Sequence, residues 1–337
     1  MSDKKQKKAD IVAVAIAASV SPATVSRFFN RPELVRLSTR RKIDRTVKKL
    51  GYIRNRAAQT IHGIRSGTIG LVVPTIDNTI FAEMIQAFSD EVGLNGFTIL
   101  LGTHNYNNAR EYDVLRKFLE HRVDGVAVVG LDHSEEVYNL IESQNIPSVS
   151  LWNYAKSSRL ICVGADNFDA GRKIAAHVLA QGYSNITTLF PPLAGNDRAT
   201  SRANGIMKVL EEGGVSPALA DQLETLYSIS SAKKVVIDYL KSGSRPDAII
   251  CCNDILALGA VYASQSLGLS VPEDIAVTGV GDFKGSKEIE PALTTIRIPA
   301  KTIGALGGAA LVQSIISPES ELENRCCVSD LVTRSTC

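Results

Sequence analysis

From Thr68 to Val280 the chain repeats one pattern, a run of four to six mostly apolar, often β-branched residues followed by a stretch with helical spacing. The runs are 68–73, 97–101, 125–129, 148–151, 186–189, 248–252 and 275–280, with helical stretches such as 170–181 and 254–267 between them. This is the strand-helix-strand rhythm of a parallel sheet. Seven runs are too many for one compact half, and 337 residues allow two or three folding units. Two similar lobes with a cleft between them are therefore predicted. The polar stretch around Cys162–Asn167 and the segment Pro291–Arg297 are read as crossovers.

The first 66 residues have a different texture. Seven Lys and nine Arg face only Asp3, Asp10, Glu33 and Asp44, a net charge of +12. Because the whole chain carries +2, the remainder carries −10. A basic head on an acidic body is the footprint expected of a polyanion-binding segment; on charge alone nucleic acid, an anionic membrane or a solvated tail all fit. No apolar run reaches the roughly 18 residues needed to cross a bilayer, and the N-terminus has no secretory pattern, so the expected location is the cytoplasm and no membrane partner is implied. Six cysteines without a CxxC pair read as reduced thiols, and five scattered histidines offer no metal-ligand spacing.

Within the head, Ile11, Val14, Ala15 and Ala18 form a helical stripe that ends at Ser19. Ser21 followed by Pro22 is an N-cap with proline at the first helical position, starting a second helix that runs to Asn30 with Val25, Phe28 and Phe29 turned inward. Ser38 is read as the cap of a third helix whose Ile43, Val47 and Leu50 share a face before Gly51. Two short helices joined by a tight turn match a helix-turn-helix, which favours nucleic acid over membrane; an ordinary three-helix bundle is the other reading. Ser21, Pro22, Ala23, Thr24, Ser26, Arg27 and Asn30 are the candidate DNA contacts, Arg27 having the fork to grip guanine O6 and N7.

The residues themselves carry a resemblance. Val14-Ala-Ile-Ala-Ala-Ser-Val-Ser-Pro-Ala-Thr-Val-Ser-Arg27, Leu50-Gly-Tyr52 and Asn55 are similar to the lactose-repressor (LacI/GalR) family of bacterial transcription regulators. So are Thr68-Ile-Gly-Leu-Val-Val-Pro74, Asn253-Asp254, Val271-Pro-Glu-Asp274, Pro291-Ala-Leu-Thr-Thr-Ile296 and Leu331-Val-Thr-Arg-Ser-Thr336. The resemblance implies an all-α helix-turn-helix head over 1–54, a hinge helix and linker over 55–66, and a two-lobed α/β effector domain over 67–337 like periplasmic binding proteins. The lobes would comprise about 67–163 with 296–325, and 164–295 with 326–337. It also implies a homodimer on pseudo-palindromic operator DNA, controlled by a small-molecule effector, with Tyr52, Asn55, Arg56, Ala58 and Ile61 added to the DNA-binding set and Ile61 as a minor-groove wedge. Ser19 stands where the family has glycine and Arg54 where it has proline; Arg54 is expected to contact phosphate and steepen the salt dependence.

Carried over by position, the effector cleft would use Asn78, Phe81, Arg198, Arg202, Asn253, Asp254 and Asp282. Asp254, at the start of the 255–268 helix, also reads as its N-cap. The family's sugar-binding aspartate is replaced by Gly281, and Arg198 and Arg202 lie four apart. Two cations with one fewer anion suit a carboxylate, so the implied effector is a sugar acid such as gluconate, and Thr24-Val-Ser-Arg-Phe28, Val163-Gly164 and Asp197-Arg198 resemble the gluconate-repressor branch. No P-loop, GxSxG elbow or full GxGxxG is present, so no enzyme and no cofactor is implied. A transport solute-binding protein is the alternative function.

Overall fold

The computed structural model describes residues 9–54, 65–215, 217–218 and 221–337. The chain divides into two compact units, Met1–Ser66 and Gly67–Cys337.

In the first unit, α1 (Ile11–Ala17), α2 (Pro22–Asn30) and α3 (Leu37–Leu50) close on a core of Val14, Ala15, Ala18, Val25 and Ile43. Asp10 caps α1 by accepting from the Ala13 N–H, and Ser21 caps α2 by accepting from the Thr24 N–H. Ser19 makes the turn at φ +50°, a left-handed conformation that costs a non-glycine residue something. The helices meet at a 106° bend, within the range of a helix-turn-helix. One sequence expectation fails. α3 begins at Leu37 with Arg36 in the cap position, so Ser38 lies inside the first turn; the entry is tied down by Arg40 Nε donating to the Val35 carbonyl at 2.8 Å. Leu50 is 37% exposed, and Ile43 supplies the buried anchor of that helix.

The second unit contains two six-stranded sheets. Strands β1 (Thr68–Val73), β2 (Thr98–Thr103), β3 (Gly125–Val129), β4 (Ser148–Asn153), β5 (Ile161–Ala165) and β11 (Arg325–Cys326) form the first, in the order β11-β5-β4-β3-β1-β2 and parallel throughout. The second holds β6 (Ile186–Phe190), β7 (Gln222–Glu224), β8 (Ala248–Cys251), β9 (Ala276–Gly281), β10 (Thr294–Arg297) and β12 (Asp330–Val332), in the order β12-β10-β9-β8-β6-β7; only β12 is antiparallel. Their crossover helices are α4 (Thr79–Leu94), α5 (Asn108–Glu120), α6 (Glu135–Ser143), α7 (Asn167–Ala180), α8 (Asp197–Glu212), α9 (Ile229–Lys241) and α10 (Asp254–Ser266). The last helix, α11 (Ala300–Ile316), packs on α4 and carries the chain from the second sheet to the first.

The stretch 162–167, read as a polar crossover, is instead the end of β5, whose Cys162, Val163 and Ala165 are fully buried, and the start of α7. Likewise 294–297 is a strand of the second sheet. Both runs are short and contain Gly, Thr or Arg, so their apolar signal is weak until neighbours bury them. Among the described residues no single helix is long and apolar enough to cross a membrane.

Candidate functional site

On the head, Ser21, Pro22, Ala23, Arg27 and Asn30 are exposed, while Thr24 and Ser26 are half-buried on α2. Ser26, Arg27, Asn30, Arg31 and Leu34 line a surface hollow. Tyr52 is turned toward the core, its ring 6.1 Å from that of Phe29. Asn55, Arg56, Ala58 and Ile61 lie outside the described residues. Arg54 departs from its expected use, because its guanidinium donates to Asn30 Oδ1 and lies over the Phe29 ring, 5.5 Å from the centroid.

In the second unit a cleft opens where the carboxyl ends of both sheets face each other, the place where open α/β sheets hold ligands. β1, β2 and β4 lead into Asn78, Tyr106 and Trp152 on one side. β8 and β9 lead into Asn253 and Gly281 on the other, where α8 adds Arg198 and Arg202. The inner chamber has about 20 Å³ free, space for one water, and an outer vestibule of about 250 Å³ shares Asn78, Tyr106, Tyr227 and Ile255 with it. Phe81 meets Trp152 edge to face at 5.0 Å, and Tyr106 stacks on Tyr227 at 5.6 Å with the rings 11° apart. Tyr227 is further held by Asn196 Nδ2, which donates to its hydroxyl at 3.2 Å.

The polar groups of the chamber differ in how far the protein already satisfies them. Arg198 Nη1 donates to Asp197 Oδ1 at 2.8 Å and to the Val129 carbonyl at 3.3 Å. Its charge is matched by its own neighbour. Asp197 Oδ2 in turn accepts from the Leu131 N–H at 2.7 Å and from Asn153 Nδ2 at 2.6 Å, linking the start of α8 to the other sheet. Arg202 is different. It is 6% exposed, its Nε donates to the Arg198 carbonyl at 3.2 Å, and among the described residues its terminal nitrogens have no protein acceptor. Asn253 caps α10 through Oδ1, accepting from the Leu256 N–H at 2.9 Å, while its buried Nδ2 has no acceptor among the described residues.

Asp254 is therefore not the helix cap. Its Oδ1 accepts from the Thr295 hydroxyl at 2.6 Å, and its Oδ2 accepts from the Asp282 N–H at 2.7 Å and from the Ser286 hydroxyl. Burial pushes its carboxyl up to about 6, against the pull of those three hydrogen bonds. The charge removed at Gly281 is thus not missing from the cleft wall: a Cβ on Gly281 would lie 3.6 Å from Asp254 Oδ2, and Asp254 supplies an anion at that spot. Asp282 does not line the chamber; Arg297 Nε and Arg334 Nη2 occupy its carboxylate at 2.7 and 2.6 Å.

Six of the seven residues expected in the cleft, Asn78, Phe81, Arg198, Arg202, Asn253 and Asp254, line one chamber, and Asp282 falls outside it. Trp152, Tyr106 and Tyr227 escaped the sequence reading. Their only signal is position just beyond a strand, since a lone aromatic in a loop looks like any other. Behind the chamber, His133 Nδ1 faces Glu111 at 3.0 Å and its Nε2 faces the Gly130 carbonyl at 2.9 Å. Burial works to lower the His133 pKa, but the bond to Glu111 prevails and the net shift is upward. Among the described residues no group of three or more His, Cys, Asp or Glu could hold a metal ion.

Residues 10–55 match the family described as bacterial regulatory proteins, lacI family, and residues 175–337 match the periplasmic binding protein-like domain. The HTH-type transcriptional regulator GntR of Escherichia coli (strain K12) is 30% identical over 311 residues, which is 92% of this chain and 93% of the relative. The chain belongs to the lacI family. The lacI-family fold extends over the whole molecule: the crystal structure of the Lac repressor dimer bound to operator and the anti-inducer ONPF covers 98% of this chain and 99% of its own, at 26% identity and a TM-score of 0.86. The transcription regulator GntR from Chromobacterium violaceum covers 80% of this chain and 98% of its own, at 30% identity and a TM-score of 0.74. This lacI-family member is similar to the gluconate-repressor branch within the family, and its named relatives are transcriptional regulators, not enzymes.

Proposed function

We propose that this lacI-family regulator is a repressor that binds a pseudo-palindromic operator as a homodimer and is switched by a sugar acid held between its lobes. One observation carries the effector class: Arg202, buried in the chamber wall, presents terminal N–H groups with no protein acceptor among the described residues, next to a partnerless Asn253 Nδ2. A carboxylate accepts the guanidinium fork, and hydroxyls accept from the amide. Phe81 and Trp152 give the carbon chain an apolar wall. Arg198 adds no second free cation because Asp197 neutralises it, so the site fits a single negative charge. The observed chamber holds about one water, so a six-carbon ligand must part the lobes or move the Tyr106 and Tyr227 rings. That requirement couples ligand occupancy to lobe arrangement, the differential interaction an allosteric switch needs.

On the DNA side, Arg27 would read a base and the remaining α2 residues would contact the duplex, with the 55–64 segment at the operator centre. The lacI-type match over 10–55 favours a regulator over a transport solute-binding protein. Calorimetric titration tests the effector class: gluconate is expected to bind the unaltered protein, glucose to bind at least tenfold more weakly, and Arg202→Ala to abolish the difference. Equal affinity for gluconate and glucose would refute the sugar-acid assignment.

A further inference from the structure

Where the family carries proline, this chain carries Arg54, at the last described position before the 55–64 segment. The cation is turned toward protein. It donates to Asn30 Oδ1 and covers the face of Phe29, which meets Phe28 edge to face at 4.9 Å and leans on Tyr52. Asn30 Nδ2 passes the contact on, donating to Ser26 Oγ at 3.2 Å. Among the described residues Asn30 is the only hydrogen-bond partner of Ser26 Oγ. With one lone pair engaged, the hydroxyl keeps its proton free for an acceptor outside the head. The relay ends on the surface hollow that Arg27 also lines.

We propose that Arg54 is a positioning residue for DNA reading: it clamps the chain leaving α3 to the last turn of α2 and, through Asn30, sets the Ser26 hydroxyl as a donor toward the duplex. Asn30 on this view is the relay and makes no base contact of its own. A planar guanidinium can stack on Phe29 and bond Asn30 together, which an ammonium cannot. Its cationic end beside the C-terminus of α2 also complements the helix dipole. The inference rests on the DNA-binding reading above and goes beyond it.

The test uses the full-length protein and the duplex that it enriches from a random pool, with a scrambled duplex as control. Dissociation constants are measured from 50 to 200 mM salt for Arg54→Ala, Arg54→Lys, Asn30→Ala, Asn30→Asp and the Arg54→Ala/Asn30→Ala double variant. A clamp predicts that Arg54→Ala loses about tenfold in preference for the selected duplex while the salt slope is unchanged. It also predicts that Lys fails to restore the preference and that the double variant is no worse than either single one. Asn30→Asp, which keeps the Arg54 bond and removes the donor to Ser26, should show the same loss without loosening the head. A slope reduced by about 0.9, equal weakening on both duplexes and rescue by Lys would make Arg54 a phosphate contact and overturn the proposal. Additive losses in the double variant would overturn the relay. If the unaltered protein enriches no duplex, the DNA-reading function itself falls and the clamp with it.

Discussion

Replacing Asp254 by Asn should make the protein more stable above pH 6, although it removes a carboxylate that accepts three hydrogen bonds. The side chain is 1% exposed, and its pKa is raised from 3.8 to about 6. A raised acid pKa means that the folded state prefers the protonated form. The associated stability is fully present below pH 3.8 and is lost as pH rises through about 6, above which the loss levels off. Two pKa units correspond to about 3 kcal/mol. Asn carries no charge to bury, and its geometry serves the same partners. The amide oxygen can take the place of Oδ2 and accept from the Asp282 N–H and the Ser286 hydroxyl, while the amide nitrogen donates to a rotated Thr295 hydroxyl. Urea unfolding of both proteins from pH 4 to pH 8 measures the difference. The variant should gain about 3 kcal/mol on the wild type across that range, nearly all of it below pH 7. A difference that stays within about 0.5 kcal/mol from end to end would refute the claim that burial of this charge dominates its hydrogen bonds. Asp254→Ala separates the terms, since it orphans three donors and should destabilise at every pH, by about 1 kcal/mol or more for each.

Gly205→Ala places a Cβ 2.1 Å from the Phe168 carbonyl where α7 and α8 cross, so α8 must shift. A cost of about 1–3 kcal/mol is expected as a lowered melting temperature, with weaker gluconate binding because Arg198 and Arg202 ride on that helix. Ser21→Ala removes the bond to the Thr24 N–H and should cost the head about 1 kcal/mol, read by circular dichroism during thermal unfolding. Glu111→Gln should drop the His133 pKa, followed by NMR titration of its ring protons. His133 is raised in the folded protein, so its contribution is present below about pH 6.5, is lost as pH rises through the folded pKa, and should be absent from the variant.

The two textures of the molecule were legible in the chain because each rests on local rules. Ser21-Pro22 starts α2 through a cap three residues long, and 68–73 or 125–129 is too apolar to be anything but a buried strand. The six cleft residues were reached by position in the family pattern, and the structure brings them to one chamber. What failed were readings of what each charge does. Arg198 looked like a second free cation, Asp282 like a ligand contact, Asp254 like a cap and Arg54 like a phosphate contact.

Those failures share a cause. Periodicity, capping and strand patterning act over a few residues, so the order of letters determines the helices, the strands and the positions that open toward the cleft. The state of a charge depends on which opposite charge or donor folding brings beside it. For Asp282 that partner is Arg334, for Asp254 it is Thr295, and for Arg54 it is Asn30, tens of residues away along the chain. Only tertiary packing decides that Arg202 keeps its donors for a ligand, because only packing decides which carboxylates are already taken.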